Sequence, residues 1–91
     1  VFGAGGDRDR SKRPLMGKIA EKFAKRIIIT SDNPRFEDPD LICEDILKGC
    51  KKHTNIVVEI NRKKAIEKSL QIAKQYANPV VLILGKVNEE F

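Results

Sequence analysis

The sequence predicts an α/β fold, a mostly parallel sheet with helices on both faces. Two observations lead there. Short β-branched apolar runs alternate with longer amphipathic stretches along the 91 residues. Turn residues, chiefly Gly, Pro and Asn, mark most of the changes from one period to the other. Strands separated by helix-length connections pair in parallel through right-handed crossovers, whereas antiparallel partners need only a short hairpin.

Val1-Phe2-Gly3 reads as the last residues of a strand that feeds the loop Gly3-Ala4-Gly5-Gly6. With no initiator Met and a strand lacking its beginning, the chain is expected to be an N-terminally truncated piece of a longer protein. Pro14 marks a helix start, because its fixed φ suits the first helical position. Leu15, Ile19 and Phe23, with Met16 and Ala20, supply one apolar stripe. Arg26 to Ser31 is a β-branched strand buried on both faces. Asp38-Pro39 opens a second helix with an N-cap and a first-position proline. In it Leu41, Ile42, Asp45, Ile46 and Cys50 recur at helical intervals, and Gly49 weakens the last turn. Ile56 to Ile60 is a third strand. Asn61 caps a third helix with Ala65, Ile66, Ser69, Leu70, Ala73 and Tyr76 on one side. Asn78-Pro79 breaks that helix, and Val80 to Leu84 is a fourth strand.

The composition describes a single globular domain with a small core: 41% hydrophobic and 34% charged residues exclude a disordered chain. No apolar run approaches the roughly 20 residues of a membrane helix, and no signal peptide is visible. Cys43 and Cys50 lie seven residues apart in one predicted helix, about 10 Å along its axis and too far for a mutual disulfide. Both read as reduced core thiols, which points to the cytoplasm. His53 has no Cys or His at ligand spacing, so no metal site is expected, and it reads as a helix-end or surface residue.

The net charge of +5 is unevenly spread: residues 27–47 carry one basic and six acidic side chains, with basic blocks on either side. The basic blocks would suit nucleic acid, but Lys18, Lys22, Lys25, Lys48, Lys52, Lys64 and Lys68 sit at helical spacings opposite the apolar stripes, and aromatic interleaving is absent. Neither a nucleic-acid nor a membrane partner is expected.

Three polar clusters each follow a predicted strand. They are Gly5-Gly6-Asp7-Arg8-Asp9 with Lys12-Arg13-Pro14, then Asp32-Asn33-Pro34-Arg35, then Gly85-Lys86 with Glu89. In a parallel sheet these strand ends point one way, so the clusters converge on the edge where such sheets bind ligands. The first cluster is neither a dinucleotide fingerprint, since Arg8 stands at the last Gly position, nor a P-loop, since Gly-Lys-Ser/Thr is missing. Its glycines would admit an anion to backbone N–H groups, and Arg8, Arg10, Lys12 and Arg13 would suit phosphate or carboxylate partners. The second cluster reads equally as a turn or as a site for a small zwitterion, with Arg for a carboxylate and Asp and Asn for the groups around it. No catalytic triad, reactive-cysteine setting or acid/base pair is present, so the chain reads as a binding lobe.

In this order, Val1-Phe2-Gly3-Ala4-Gly5-Gly6-Asp7-Arg8-Asp9 with Lys12-Arg13-Pro14-Leu15-Met16-Gly17, and Ile29-Thr30-Ser31-Asp32-Asn33-Pro34-Arg35 with Glu37-Asp38-Pro39, resemble the C-terminal domain of the Mur ligases. The match covers essentially the whole chain and is nearest the branch that adds the third residue of the peptidoglycan stem. The resemblance implies a Rossmann-like three-layer sandwich over residues 1–91, incomplete at its N-terminal side. It also implies an ATP-dependent amide ligase that phosphorylates a substrate carboxylate and lets an incoming amine attack the acyl phosphate. ATP and Mg2+ would be bound mainly by a central domain not contained in this sequence, and the piece alone would be inactive. The substrates implied are meso-diaminopimelate and UDP-MurNAc-L-Ala-D-Glu. On this resemblance Arg35 holds the distal carboxylate of diaminopimelate with Asn33 assisting, and Arg8 holds the other carboxylate. The Gly85 carbonyl and Glu89 take the distal ammonium, and Asp32 shapes the turn and adds negative charge. The family's closing motif Gly-Lys-Gly-His-Glu stands here as Gly85-Lys86-Val87-Asn88-Glu89. A stand-alone Rossmann-like nucleotide- or anion-binding module is the alternative reading.

Overall fold

A computed structural model describes residues 1–6 and 9–85. Its elements run α1 (Lys12–Phe23), β1 (Ile27–Ile29), α2 (Pro39–Leu47), β2 (Ile56–Val58) and α3 (Arg62–Ala73), the alternation that the sequence predicts. β1 and β2 pair in parallel, with Ile27 opposite Ile56, Ile28 opposite Val57 and Ile29 opposite Val58. On the other side of β1, Phe2 forms a parallel bridge to Ile29. The Phe2 N–H donates to the Ile28 carbonyl at 3.1 Å, and the Thr30 N–H donates to the Phe2 carbonyl at 2.9 Å. The result is a small α/β domain with a two-stranded parallel sheet and three helices.

Both predicted strands keep only their first, β-branched residues, because pairing stops where the chain turns into the loops above. Val80–Leu84, predicted as a strand, is not one. Among the described residues its backbone bonds to no other backbone than that of Val1, whose ammonium donates to the Leu82 carbonyl at 2.8 Å and whose carbonyl accepts from the Leu84 N–H at 2.9 Å. These two bonds have the spacing of a parallel pair, but a single paired residue makes no ladder.

Local chemistry sets the helix ends. Asp38 accepts the Asp40 N–H, and Pro39 occupies the first position of α2. Asn61 caps α3 through the Lys64 N–H. α1 starts two residues before Pro14, because Asp9 accepts both the amide and the hydroxyl of Ser11 and anchors the turn that begins the helix. Pro14 is harmless there, since first-turn amides have no intrahelical partner. α2 closes at Leu47, so Cys50 lies beyond it, and His53 sits at the helix end with Nε2 3.3 Å from the carbonyls of Leu47 and Cys50.

The core joins Phe2, Ala4, Ile27, Ile29, Ile42, Cys43 and Ile46, with Met16 and Ala20 of α1 packed against it. The predicted α1 stripe therefore splits. Met16 and Ala20 turn inward with buried Arg13 and Gly17, at i, i+3, i+4 and i+7, while Leu15, Ile19 and Phe23 are exposed. α1 and α2 touch backbone to backbone at Gly17, where a Cβ would strike the Ile46 carbonyl. The Cys50 thiol donates to the Gly17 carbonyl at the same place. On α3, Ala65 and Ser69 are buried, but Leu70 of the predicted stripe is exposed.

Ile46 is fully buried beneath α1, so Ile46→Val should lower stability by about 0.5–1.5 kcal/mol. In urea denaturation the midpoint should fall with the slope unchanged.

Candidate functional site

Because the paired segments run in parallel, the loop after Phe2 and the turn after β1 rise from the same end of the sheet, and Leu84–Gly85 joins them there. Hydrogen bonds lock the first two together. The Gly6 N–H donates to the Asn33 carbonyl at 2.9 Å, and Arg35 Nη1 donates to the Gly6 carbonyl at 2.7 Å. A side chain at Gly6 is impossible without moving this turn, since its Cβ would collide with the Pro34 carbonyl.

The turn is strained. Asn33 and Arg35 have φ of 39° and 54°, in the left-handed region, which asparagine tolerates and arginine rarely adopts. The Glu37 N–H closes it by donating to the Pro34 carbonyl at 3.0 Å. The twist turns Arg35 outward. Its guanidinium is exposed, and among the described residues its one hydrogen bond is to Gly6, which leaves donors for a carboxylate.

Gly85 lies against the Asp32 carboxylate, closely enough that a Cβ there would overlap Asp32 Oδ2. Arg62, the first residue of α3, spans the two segments. Its Nη2 donates to the Leu84 carbonyl at 2.7 Å and reaches that of Gly85 at 3.4 Å, while Nη1 reaches the Ser31 carbonyl at 3.4 Å. The structure thus brings Asp32, Asn33, Arg35 and Gly85 to one edge. Arg8 and Glu89 lie outside the described residues.

Beneath the loops sits Arg13, 1% exposed. Its Nη1 and Nη2 meet Glu37 Oε2 and Oε1 at 2.9 and 2.8 Å. Nη1 also donates to Asp45 Oδ2 at 3.0 Å, and Nη2 to the Gly5 carbonyl at 3.2 Å. The Glu37 hydrogen bonds raise the Arg13 pKa, against the effect of burial. Burial pushes the Asp45 carboxyl up, but hydrogen bonds from Arg13, Arg10 and Lys48 outweigh it, and its pKa is lowered. Arg10 and Arg13, which the sequence suggests for an external anion, therefore already hold internal carboxylates.

Sequence reasoning missed Arg13 and Arg62 as organisers of the site. Arg13 had a signal, since it stands three and four residues before inward-facing Met16 and Gly17, an unusual place for a cation. Arg62 had none beyond its place after a strand.

The strand-end loops of this α/β domain gather an arginine and a carboxylate at the sheet edge where such folds commonly hold ligands. The sequence profile of the Mur ligase glutamate ligase domain matches residues 1–87, and the chain belongs to that family. Among its relatives is the UDP-N-acetylmuramoyl-L-alanyl-D-glutamate--2,6-diaminopimelate ligase of Aquifex aeolicus, 54% identical over 91 residues, covering 100% of this chain and 18% of the relative. The ligases of the same name from Helicobacter hepaticus and Clostridium botulinum are 54% and 50% identical over 91 residues, covering 100% of this chain and 19% and 18% of the relatives. The chain spans about a fifth of the length of these curated relatives.

Two outcomes test the geometry. Gly6→Ala should destabilise the domain by about 1–3 kcal/mol, read by chemical denaturation, because the Pro34 peptide must move. Asp45 has a folded pKa below its unfolded value of about 3.9, so its contribution is present above roughly pH 4 and is lost as pH falls through the folded value. Stability measured between about pH 2.5 and pH 6 should fall more steeply with acid in the parent chain than in Asp45→Asn.

Proposed function

We propose that residues 1–91 are the amino-acid-binding C-terminal domain of a cytoplasmic, ATP-dependent ligase that joins meso-diaminopimelate to UDP-MurNAc-L-Ala-D-Glu in peptidoglycan synthesis. The observation that carries this reading is the Asp32–Arg35 turn, which presents Arg35 beside Gly6 and Asp32 beside Gly85 in a chain half identical to ligases named for 2,6-diaminopimelate. Arg35 pairs with the distal carboxylate of the amino acid and Asn33 assists. Arg8 takes the other carboxylate. The Gly85 carbonyl and Glu89 accept from the distal ammonium, and the Asp32 charge favours that cation. Lysine lacks the distal carboxylate, so binding it would leave Arg35 desolvated and unpaired, and selectivity follows.

The paired segments support the finer architecture. Val1 meets Leu82 and Leu84, Phe2 meets β1, and β1 meets β2, so four segments lie side by side in the order 80–84, 1–2, β1, β2, of which β1 and β2 form the ladder. Right-handed crossovers then place α1 and α2 on one face and α3 on the other, the Rossmann-like three-layer sandwich. Among the described residues no cluster of three His, Cys, Asp or Glu could hold a metal ion, and no helix is long and apolar enough to cross a membrane. ATP with Mg2+, which supplies the phosphoryl group that activates the dipeptide carboxylate, belongs in this reading to the central domain that the family resemblance implies. The role of this domain is to hold the amino acid with its amine free to attack.

In the complete reading frame, phosphate release from ATP with UDP-MurNAc-dipeptide should require diaminopimelate and fail with L-lysine. Arg35→Ala removes charge-assisted bonds of about 1.5–3 kcal/mol each, so kcat/KM for diaminopimelate should fall roughly ten- to a hundredfold. Equal turnover of lysine by the parent enzyme would sink the selector role.

A further inference from the structure

We infer that Arg13 is a positioning residue for the amino-acid subsite: from beneath the loops it fixes the Gly5–Gly6 peptide and the Asp32–Glu37 turn, and so sets affinity for an amino acid it does not touch. The inference rests on the function proposed above.

Three observations carry it. Arg13 occupies the core face of α1 with Met16, Gly17 and Ala20, where an apolar side chain is the default and a buried guanidinium is costly unless its donors are met. Here they are met, and no buried side-chain N or O among the described residues lacks a partner. The partners belong to separate pieces of chain: Gly5 in the first loop, Glu37 at the end of the turn and Asp45 on α2.

The second observation is a single peptide group. Gly5 O accepts from Arg13, and the N–H of that same peptide, on Gly6, donates to the Asn33 carbonyl. A planar trans peptide points its C=O and N–H in opposite directions, so the bond from Arg13 on one side fixes the donor offered to the turn on the other. The next carbonyl, Gly6 O, is the one that Arg35 grips. A rotation of the Gly5–Gly6 peptide would therefore release Asn33, and Arg35 is held one peptide further along the same loop.

Strain supplies the third. Asn33 and Arg35 hold positive φ, a state that persists only when the surroundings impose it. Glu37, which closes the turn through the Pro34 carbonyl, is clamped by both η nitrogens of Arg13. Fork-to-fork pairing fixes direction as well as distance, which a lysine ammonium would not do.

The test is steady-state kinetics on the complete ligase, varying diaminopimelate, ATP and UDP-MurNAc-dipeptide in turn. Arg13→Met and Glu37→Gln should each raise KM for diaminopimelate roughly ten- to a hundredfold. KM for ATP and for the nucleotide substrate should stay within about twofold of the parent. Arg13→Lys should recover part of the loss. Ile46→Val, which removes none of the Arg13 hydrogen bonds, serves as the stability control and should lower Tm with no change in KM. A parallel rise of every KM, an unchanged KM for diaminopimelate, or a selective rise in Ile46→Val would overturn the inference. If Arg13→Met does not fold, Glu37→Gln alone decides. A parent enzyme that turns over diaminopimelate while the variants match it overturns this inference only. A parent that does not use diaminopimelate overturns the proposed function and this inference with it.

Discussion

A guanidinium leaves water at tolerable cost only when its donors are answered, and at Arg13 that requirement gathers four pieces of chain. α1 supplies the cation, α2 supplies Asp45, and the two loops over the sheet supply Glu37 and the Gly5 carbonyl. Asp45 is itself shared with Arg10 and Lys48, so the cluster extends to the surface along α2. The two helices already meet backbone to backbone where Gly17 faces Ile46. The strand-end loops are thus bolted to the helical layer, and the same bonds brace the strained turn of polar residues. Arg62 plays a lighter version of the same part on the far side, joining the Ser31 and Leu84 carbonyls from the start of α3.

Local chemistry was legible in the sequence, and contact between distant segments was not. Asp38 with Pro39 and Asn61 each announced a helix, because a cap acts within three residues of itself. The start of α1 was misjudged because Asp9 and Ser11 anchor it more firmly than Pro14 marks it. The predicted α1 stripe splits, with Met16 and Ala20 inward, since Leu15, Ile19 and Phe23 have as good a helical period as the inward set. Only the position of α2 decides between them. Residues 80–84 have the composition of a strand, but strand character also needs a neighbour, and among the described residues only Val1 gives them backbone-to-backbone bonds. Convergence of Asp32, Asn33, Arg35 and Gly85 on one edge was legible because it follows from parallel strands. The positive φ of Arg35 and the partners that Arg13 gathers are tertiary facts, and the only local signal is the place of Arg13 on the face of Met16 and Gly17.

The uneven charge along the chain also finds its explanation in the fold. Its acidic middle block answers the basic block before it, through Glu37 and Asp45 with Arg10 and Arg13. Glu21 belongs to the same economy of carboxylates, accepting the amides of Lys51 and Lys52 beyond α2 and so pinning α1 at its other end. What remains is a lysine-rich outer surface in which isolated pairs such as Lys68 with Glu59 contribute little to stability.

The two cysteines have a practical bearing on how the domain can be studied. Burial, with a smaller push from the Asp40 charge, raises the Cys43 pKa to about 11, and burial raises that of Cys50. Near neutral pH Cys43 is held as the thiol rather than the thiolate that alkylating reagents attack, and both cysteines are buried. A cysteine placed on the outer surface would therefore react alone. Spectroscopic probes can be attached beside the Asp32–Arg35 turn without first removing either native thiol, and the α1–α2 packing that Cys50 helps to close stays intact.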